Sequence, residues 1–276
     1  MEDAWDAARR AASAAGISLA PLTELEDARR VTVLVDAVWG EDQLSPSLVR
    51  AFQHAGGGIY GALGDGDLVG FVLGFLGWQE GLHLHSHMLA VVPEWQSRGV
   101  GYALKLAQRA ACLDAGIDEV RWTYDPLVVR NGWFNLVKLG TVGTALLPGF
   151  YGEMTDSINR GDRSDRFEVR WSLRSQRTAR ALTGEAAPPS PGPVVLEARG
   201  GHEAPRPAPT RARPEPGCVV EVPADHPGLR ARDEALGWAW REASAEAFGA
   251  CFEAGLVAVW VTREGRYLFG RREELP

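Results

Sequence analysis

Apolar and polar positions recur along this chain at spacings that predict most of its elements. Residues 2–15 are alanine-rich and read as a short helix, an N-terminal extension. Leu19–Leu22 reads as a first strand. Thr23 and Glu26 then stand three apart, the spacing of a capping box, ahead of an apolar stripe of Leu25, Val31, Leu34, Val35 and Val38. Ser45-Pro46 supplies a cap and the proline favoured at a first helical position, so a second helix runs to His54 and stops at Gly56-Gly57-Gly58. Ile59–Leu63 and Leu68–Phe75 read as a hairpin about Gly64-Asp65-Gly66-Asp67.

The stretch Leu82–Gly116 organises the rest. It opens as a strand, nearly continuously apolar or aromatic, that Pro93 stops. It closes as a helix, with Val100, Leu104, Ala107 and Ala111 on one face. Between them lies Gln96-Ser97-Arg98-Gly99-Val100-Gly101. Such a turn aims unpaired backbone N–H groups from the positive end of a helix dipole, which suits a phosphate or pyrophosphate. Gly99 and Gly101 would let that phosphate approach the backbone. A dinucleotide-binding fold would want three glycines after the first strand and an acidic residue about 20 positions on, and neither is here.

Further along, Glu119–Tyr124 is a fifth strand closed by Asp125-Pro126. A helix over Val129–Leu139 ends at Gly140, and Thr141–Pro148 and Phe167–Leu173 are two more strands. Residues 176–217 change character: nine of the chain's seventeen prolines lie between Pro188 and Pro216. That composition predicts a semi-extended linker, with Val194–Leu196 its only candidate strand. Cys218–Val222 is a strand, Asp225 caps a helix bearing Leu229, Leu236, Trp240, Ala243, Ala247 and Ala250 on one face, and Leu256–Thr262 with Tyr267–Gly270 form a hairpin. The expected organisation is a domain over 1–175, a linker over 176–217 and a small β-α-β-β module over 218–276. The module is small for an independent core. Docking on the first domain, or on a second copy in a homodimer, would supply the missing burial.

Composition narrows the function. The chain has 276 residues, 45% hydrophobic and 24% charged, with a net charge of −7. An acidic chain lacks the basic face that sequence-independent nucleic-acid binding needs. No apolar run reaches the ~20 residues of a membrane span, and the acid-bearing start is unlike a secretory signal. Three widely spaced cysteines, Cys112, Cys218 and Cys251, suit a reducing compartment, so the expectation is a cytoplasmic protein with no disulfide or metal framework.

Pro93-x-x-Gln96-x-x-Gly99-x-Gly101, following Leu89-Ala90-Val91, resembles the acyl-CoA-binding motif of the GNAT acyltransferase superfamily. The resemblance covers roughly 17–175 and implies an α+β fold, a mixed central sheet flanked by helices. It implies that Leu89, Ala90 and Val91 hold the pantetheine arm. Gln96, Ser97, Arg98, Gly99, Val100, Gly101 and Tyr102 would hold the pyrophosphate, and Asn131 at a helix start would contact CoA. Lys138-Leu139-Gly140 is similar to the end of the family's helix. Ser86-His87-Met88, Trp122-Thr123-x-Asp125-Pro126-Leu127, Asn135-Leu136, Phe150-Tyr151-Gly152 and Asp165-Arg166 resemble a bacterial GNAT subgroup, some of whose members resemble N-acyltransferases acting on amino acids. The implied donor is acetyl-CoA or succinyl-CoA, the implied acceptor a small amine or amino acid, and no metal takes part.

Direct transfer needs a base for the ammonium, donors for an oxyanion, and a proton for the departing thiolate. His83, His85 and His87 alternate and so share one strand face. His87, nearer the loop, is the expected base, with His85 its neighbour; an imidazole is suited to accepting a proton near neutrality. Asp125 at a strand end is the other candidate, as base or as ammonium ligand, or it simply makes the Asp-Pro turn. The family's usual tyrosine acid falls on Leu136 here, leaving Tyr151, Tyr124 or water. Arg98 and Lys105 read as exposed helix basics within reach of phosphates. Cys112, mid-helix without a paired base, is no nucleophile. The alternatives to an enzyme are an acyl-CoA-binding module without turnover and a protein-recruiting module.

Overall fold

The computed structural model describes residues 3–40, 44–56, 58–153, 161–201 and 203–272; Glu2 and Gly57, which enter the readings above, lie outside them. The described chain divides into two units, one within Met1–Trp122 and one formed by Thr123–Thr155 with Asn159–Pro276.

The first unit carries α1 (Ala4–Ala15), β1 (Ser18–Pro21), α2 (Leu25–Trp39), α3 (Pro46–His54), β2 (Tyr60–Gly64), β3 (Asp67–Gly77), β4 (His83–Val91), α4 (Val100–Asp114) and the start of β5 (Glu119–Tyr124). Its strands lie in the order β1-β2-β3-β4-β5, antiparallel except for the parallel pair β4 and β5. The sheet is covered on both faces. Val31, Leu34 and Val35 of α2 and Val49 of α3 pack with Phe71, Leu73 and Ala90 on one side. Ala12 and Ala15 of α1 and Val100, Ala103 and Leu104 of α4 pack with Ala62, Val69 and Val72 on the other. The N-terminal helix is therefore part of the core rather than an extension.

Local chemistry accounts for the ends. The capping box forms one residue later than Thr23–Glu26 suggests: Glu24 is the cap and Asp27 the reciprocal partner. Ser45 accepts from the Leu48 N–H ahead of Pro46, as its position predicts. Asp65 and Gly66, both at positive φ, make the two-residue β2–β3 turn.

The second unit carries α5 (Val129–Gly132), a π-helical turn Trp133–Lys138, β6 (Val142–Leu147), β7 (Arg166–Ser172), α6 (Gln176–Thr183), β8 (Val194–Arg199), β9 (Arg206–Pro209), β10 (Val219–Glu221), α7 (His226–Arg232), α8 (Glu234–Glu253), β11 (Leu256–Val261) and β12 (Arg266–Arg271). Its strands run in the order β7-β6-β11-β12-β10-β8-β9. The core beneath α8 is aromatic: Phe167, Phe248, Tyr267 and Phe269 meet largely edge to face.

Three readings of this half need correction. Residues 176–217 are not a bare linker. Thr178 and Ala181 of α6 are buried, and Arg177 donates to the carbonyls of Leu136, Gly140, Thr141 and Val259. Strands β8 and β9 pair over Leu196–Arg199, with Pro207 and Pro209 on the sheet's edge, where a missing N–H costs no ladder bond. The β-α-β-β module expected over 218–276 is also not closed on itself: β11 pairs with β6 through Ala258 and Gly143. Within the predicted single helix after Asp225, Asp233 breaks the run and caps α8 by accepting from the Leu236 N–H. Among the described residues, no helix is long and apolar enough to cross a membrane.

Candidate active site

Strand β4 is paired along β3, but the register slips between Leu73/Met88 and Gly74/Ser86. His87 is the extra residue, and a bulge of this kind frees local backbone groups and re-aims side chains. Before it, His85 lies on the α2/α3 face, its ring 5.1 Å from that of Phe75, and His87 is 5.7 Å from the same phenyl. After it the alternation inverts. Met88 and Ala90 take the α2/α3 face, while Leu89 and Val91 turn to α1 and α4. On its other edge β4 pairs with β5 only at Leu84/Val120 and His85/Arg121. Beyond His85 the strand runs on to Val91 without a β5 partner.

The histidines differ. His83 is buried, its Nδ1 2.9 Å from the Gly81 carbonyl oxygen. His85 is half-buried and His87 exposed, their rings 6.2 Å apart. Desolvation, then the neighbouring imidazoles of His87 and His83, pulls the His85 pKa down to about 4. Desolvation also lowers that of His87. Both rings are neutral near pH 7, the state a proton acceptor needs.

The strand ends in a single 3-10 turn, Pro93–Trp95. Gln96 folds back, donating from Nε2 to the Val91 carbonyl at 3.0 Å. Ser97 (φ 61°) and Gly99 (φ 92°) then take left-handed conformations that turn the chain into α4. The two glycines have different reasons. Gly99 is required by its φ, whereas a Cβ at Gly101 would meet only Leu89 Cδ2, at 3.4 Å. Among the described residues nothing else comes within 4 Å of that position. The first N–H groups of a helix have no intrahelical acceptors. The Arg98 guanidinium lies 5.2 Å from the Trp95 ring centre, exposed beside the turn.

Lys105 departs from expectation. It is 3% exposed, with Nζ donating to Ser86 Oγ at 2.6 Å and to Gln108 Oε1 at 3.2 Å, and lying 3.7 Å from the Trp122 ring centre. It is no surface phosphate ligand. The helix is buried on several sides, so the periodicity of its apolar stripe alone gave no warning.

In the second unit Asp125 is heavily engaged. Its carboxylate accepts from both Arg241 Nη atoms at 2.8 Å and from the Leu127 N–H at 2.8 Å. Arg241, 1% exposed, also donates to both Asp162 oxygens. Asn131 is exposed at the start of α5. Leu136 is fully buried. Of the two substitute acids, Tyr124 is buried and its phenol pushed up by desolvation, while Tyr151 is exposed with its hydroxyl 3.2 Å from Thr123 Oγ1.

Residues 23–127 match the family model described as "Acetyltransferase (GNAT) family". Among solved structures, the chain is similar to the ribosomal-protein-S18-alanine N-acetyltransferase from Escherichia coli (14% identity, TM-score 0.48, covering 57% of this chain and 94% of that one). It is also similar to Arabidopsis thaliana Naa50 in complex with the bisubstrate analogue CoA-Ac-MVNAL (16%, 0.44, 56% and 97%). A third is an N-acetyltransferase from Staphylococcus aureus Mu50 (12%, 0.46, 57% and 99%). No curated protein matches the chain by sequence.

Proposed function

We propose that the protein is an acyl-CoA-dependent N-acyltransferase acting on the amine of a small molecule, an amino acid first among them, a reading supported by the match of residues 23–127 to the GNAT acetyltransferase family model. The observation that carries the reading is the bulged strand β4 running through Gln96–Gly101 into α4, with an open edge beyond His85. That edge and Leu89–Val91 suit the pantetheine arm of acetyl-CoA or succinyl-CoA. The N–H groups at Gly99–Tyr102, with Arg98, suit its pyrophosphate, and Asn131 is assigned a CoA contact.

In this reading His87 takes a proton from the acceptor ammonium, the neutral amine attacks the thioester carbonyl, and backbone N–H groups of the bulged strand stabilise the oxyanion. His85 positions His87. Asp125 is assigned chiefly to holding the end of β5, because a carboxylate chelated by Arg241 must break that pair to accept a proton. Water returns a proton to the thiolate. The buried Leu136 is the observation that favours an acyl-CoA-binding module without turnover. Thiol release from acetyl-CoA and succinyl-CoA, followed over pooled D- and L-amino acids, separates the two; binding without release would establish the second.

A further inference from the structure

A buried amine lies directly under the histidine strand, and the proposed chemistry does not use it. Lys105 enters from α4 and donates to Ser86, the residue between His85 and His87 and the last one paired before the register slips. Its second acceptor, Gln108 Oε1, comes from the next turn of its own helix, and the Trp122 ring of β5 covers it. A lysine is rarely buried without an acid, yet no carboxylate ion-pairs with this one among the described residues. Cys112, the titratable neighbour on α4, is pushed up to about 12 by burial and stays a neutral thiol. Asp114 on the same helix accepts from the Trp5 indole, and Arg121 on β5 is bound to Glu119 and to the carbonyls of Gln79 and Glu80. From β4, His85 feels Lys105 directly.

We infer that Lys105 is a positioning residue for acyl transfer: by holding Ser86 from beneath, it fixes the bulge at His87 and the direction in which both imidazoles point. The inference rests on the proposed function and deepens it. A bulge leaves one strand with an extra residue and several ways to seat it. A short bond to the residue beside the slip selects one of them, and Gln108 and Trp122 keep the amine in place while it does so. The electrostatics agree. Desolvation brings Lys105 down to about 7, so near neutrality it and the histidines resist holding charge together. Loss of the amine both loosens the bulge and removes a neighbour that discourages imidazole protonation.

The test is steady-state kinetics on full-length Lys105→Met, Ser86→Ala and the double variant, with histidine ring resonances followed against pH. Lys105→Met should lower kcat about tenfold or more, since small misplacements of a catalytic group are costly, with KM for the acyl-CoA within about twofold. Ser86→Ala should act in the same direction, and the double variant should be no worse than Lys105→Met because the two losses are one interaction. The His85 titration midpoint should move upward in Lys105→Met. A kcat within twofold of wild type with unmoved ring titrations overturns the inference, as do additive losses in the double variant. If the wild type itself turns over no amine, the function reading has failed, and the ring titrations still decide the role of Lys105. If Lys105→Met does not fold, Ser86→Ala carries the kinetic test alone, since it removes the same bond while leaving the amine in place, and a kcat within twofold of wild type then overturns the inference.

Discussion

Gly99 and Gly101 are two residues apart, yet alanine should act on them in opposite directions. At Gly99 the backbone sits at φ 92°, where a Cβ is strained, and Gly99→Ala should cost about 1–2 kcal/mol. At Gly101 the backbone is helical and a Cβ meets only Leu89 Cδ2, at 3.4 Å. Alanine there gains roughly 0.5 kcal/mol of helix propensity, or about 1–2 °C in Tm at 2–4 °C per kcal/mol. Its methyl would stand where a pyrophosphate must approach. A ligand at 100 times its Kd stabilises the fold by about 2.7 kcal/mol, and a tenfold weaker Kd leaves about 1.4 kcal/mol. Differential scanning fluorimetry with and without CoA reads both effects. Gly101→Ala should melt at or above wild type while its CoA-induced shift falls by about half. Gly101→Glu, adding bulk and like charge, should abolish the shift. A Gly101→Ala protein less stable than wild type, or one with an undiminished CoA shift, would refute the reasoning that this glycine serves a ligand.

Four further outcomes are expected. His87→Ala should lower kcat by about 10²–10⁴ while the CoA shift persists, and should remove the acidic limb of the pH–rate profile; the wild-type limb should lie below pH 6.5 because burial lowers the His87 pKa. As pH falls from 6.5 towards about 4, the unfolded chain takes up a proton that native His85 refuses, so stability should drop across that window, and by less in His85→Gln. Asp125→Asn should act on stability first, lowering Tm markedly, because removing one partner of a buried pair typically costs about 3–5 kcal/mol; an inactive variant with wild-type Tm would move the base to Asp125. Limited proteolysis should cut the exposed segment 184–192 and spare β8 and β9, and early cleavage inside 194–209 would contradict the observed pairing.

Much of this was readable from the residues, and the failures have identifiable causes. The motif loop and α4 were legible because glycine and proline constrain the backbone locally. Ser45-Pro46 marked its helix start for the same reason. The bulge at His87 was not legible: period-2 alternation assumes an unbroken ladder, and no glycine or proline of β4 itself marks the slip, which falls opposite Gly74 of β3. Lys105 was misread because a helix packed against both α1 and the sheet has little solvent face, so a charged residue on it need not be outside. Pro207 and Pro209 suggested a linker, although an edge strand tolerates proline as readily. The engagement of Asp125 by Arg241, 116 positions away, has no local signature at all. Within the candidate site, the loop was thus easier to foresee than the surroundings that set each side chain's charge.

The most direct measurement of the central claim is to supply acetyl-CoA and succinyl-CoA, isotopically labelled in the acyl group, with the D- and L-amino acids, and to find by mass spectrometry where the label ends. The account predicts labelled N-acyl amino acid, formed with release of free CoA and lost in His87→Ala. Label that goes only to protein lysines or aminoglycosides would contradict the proposed acceptor class, and label that stays on CoA with every acceptor, although CoA binds, would contradict catalysis itself.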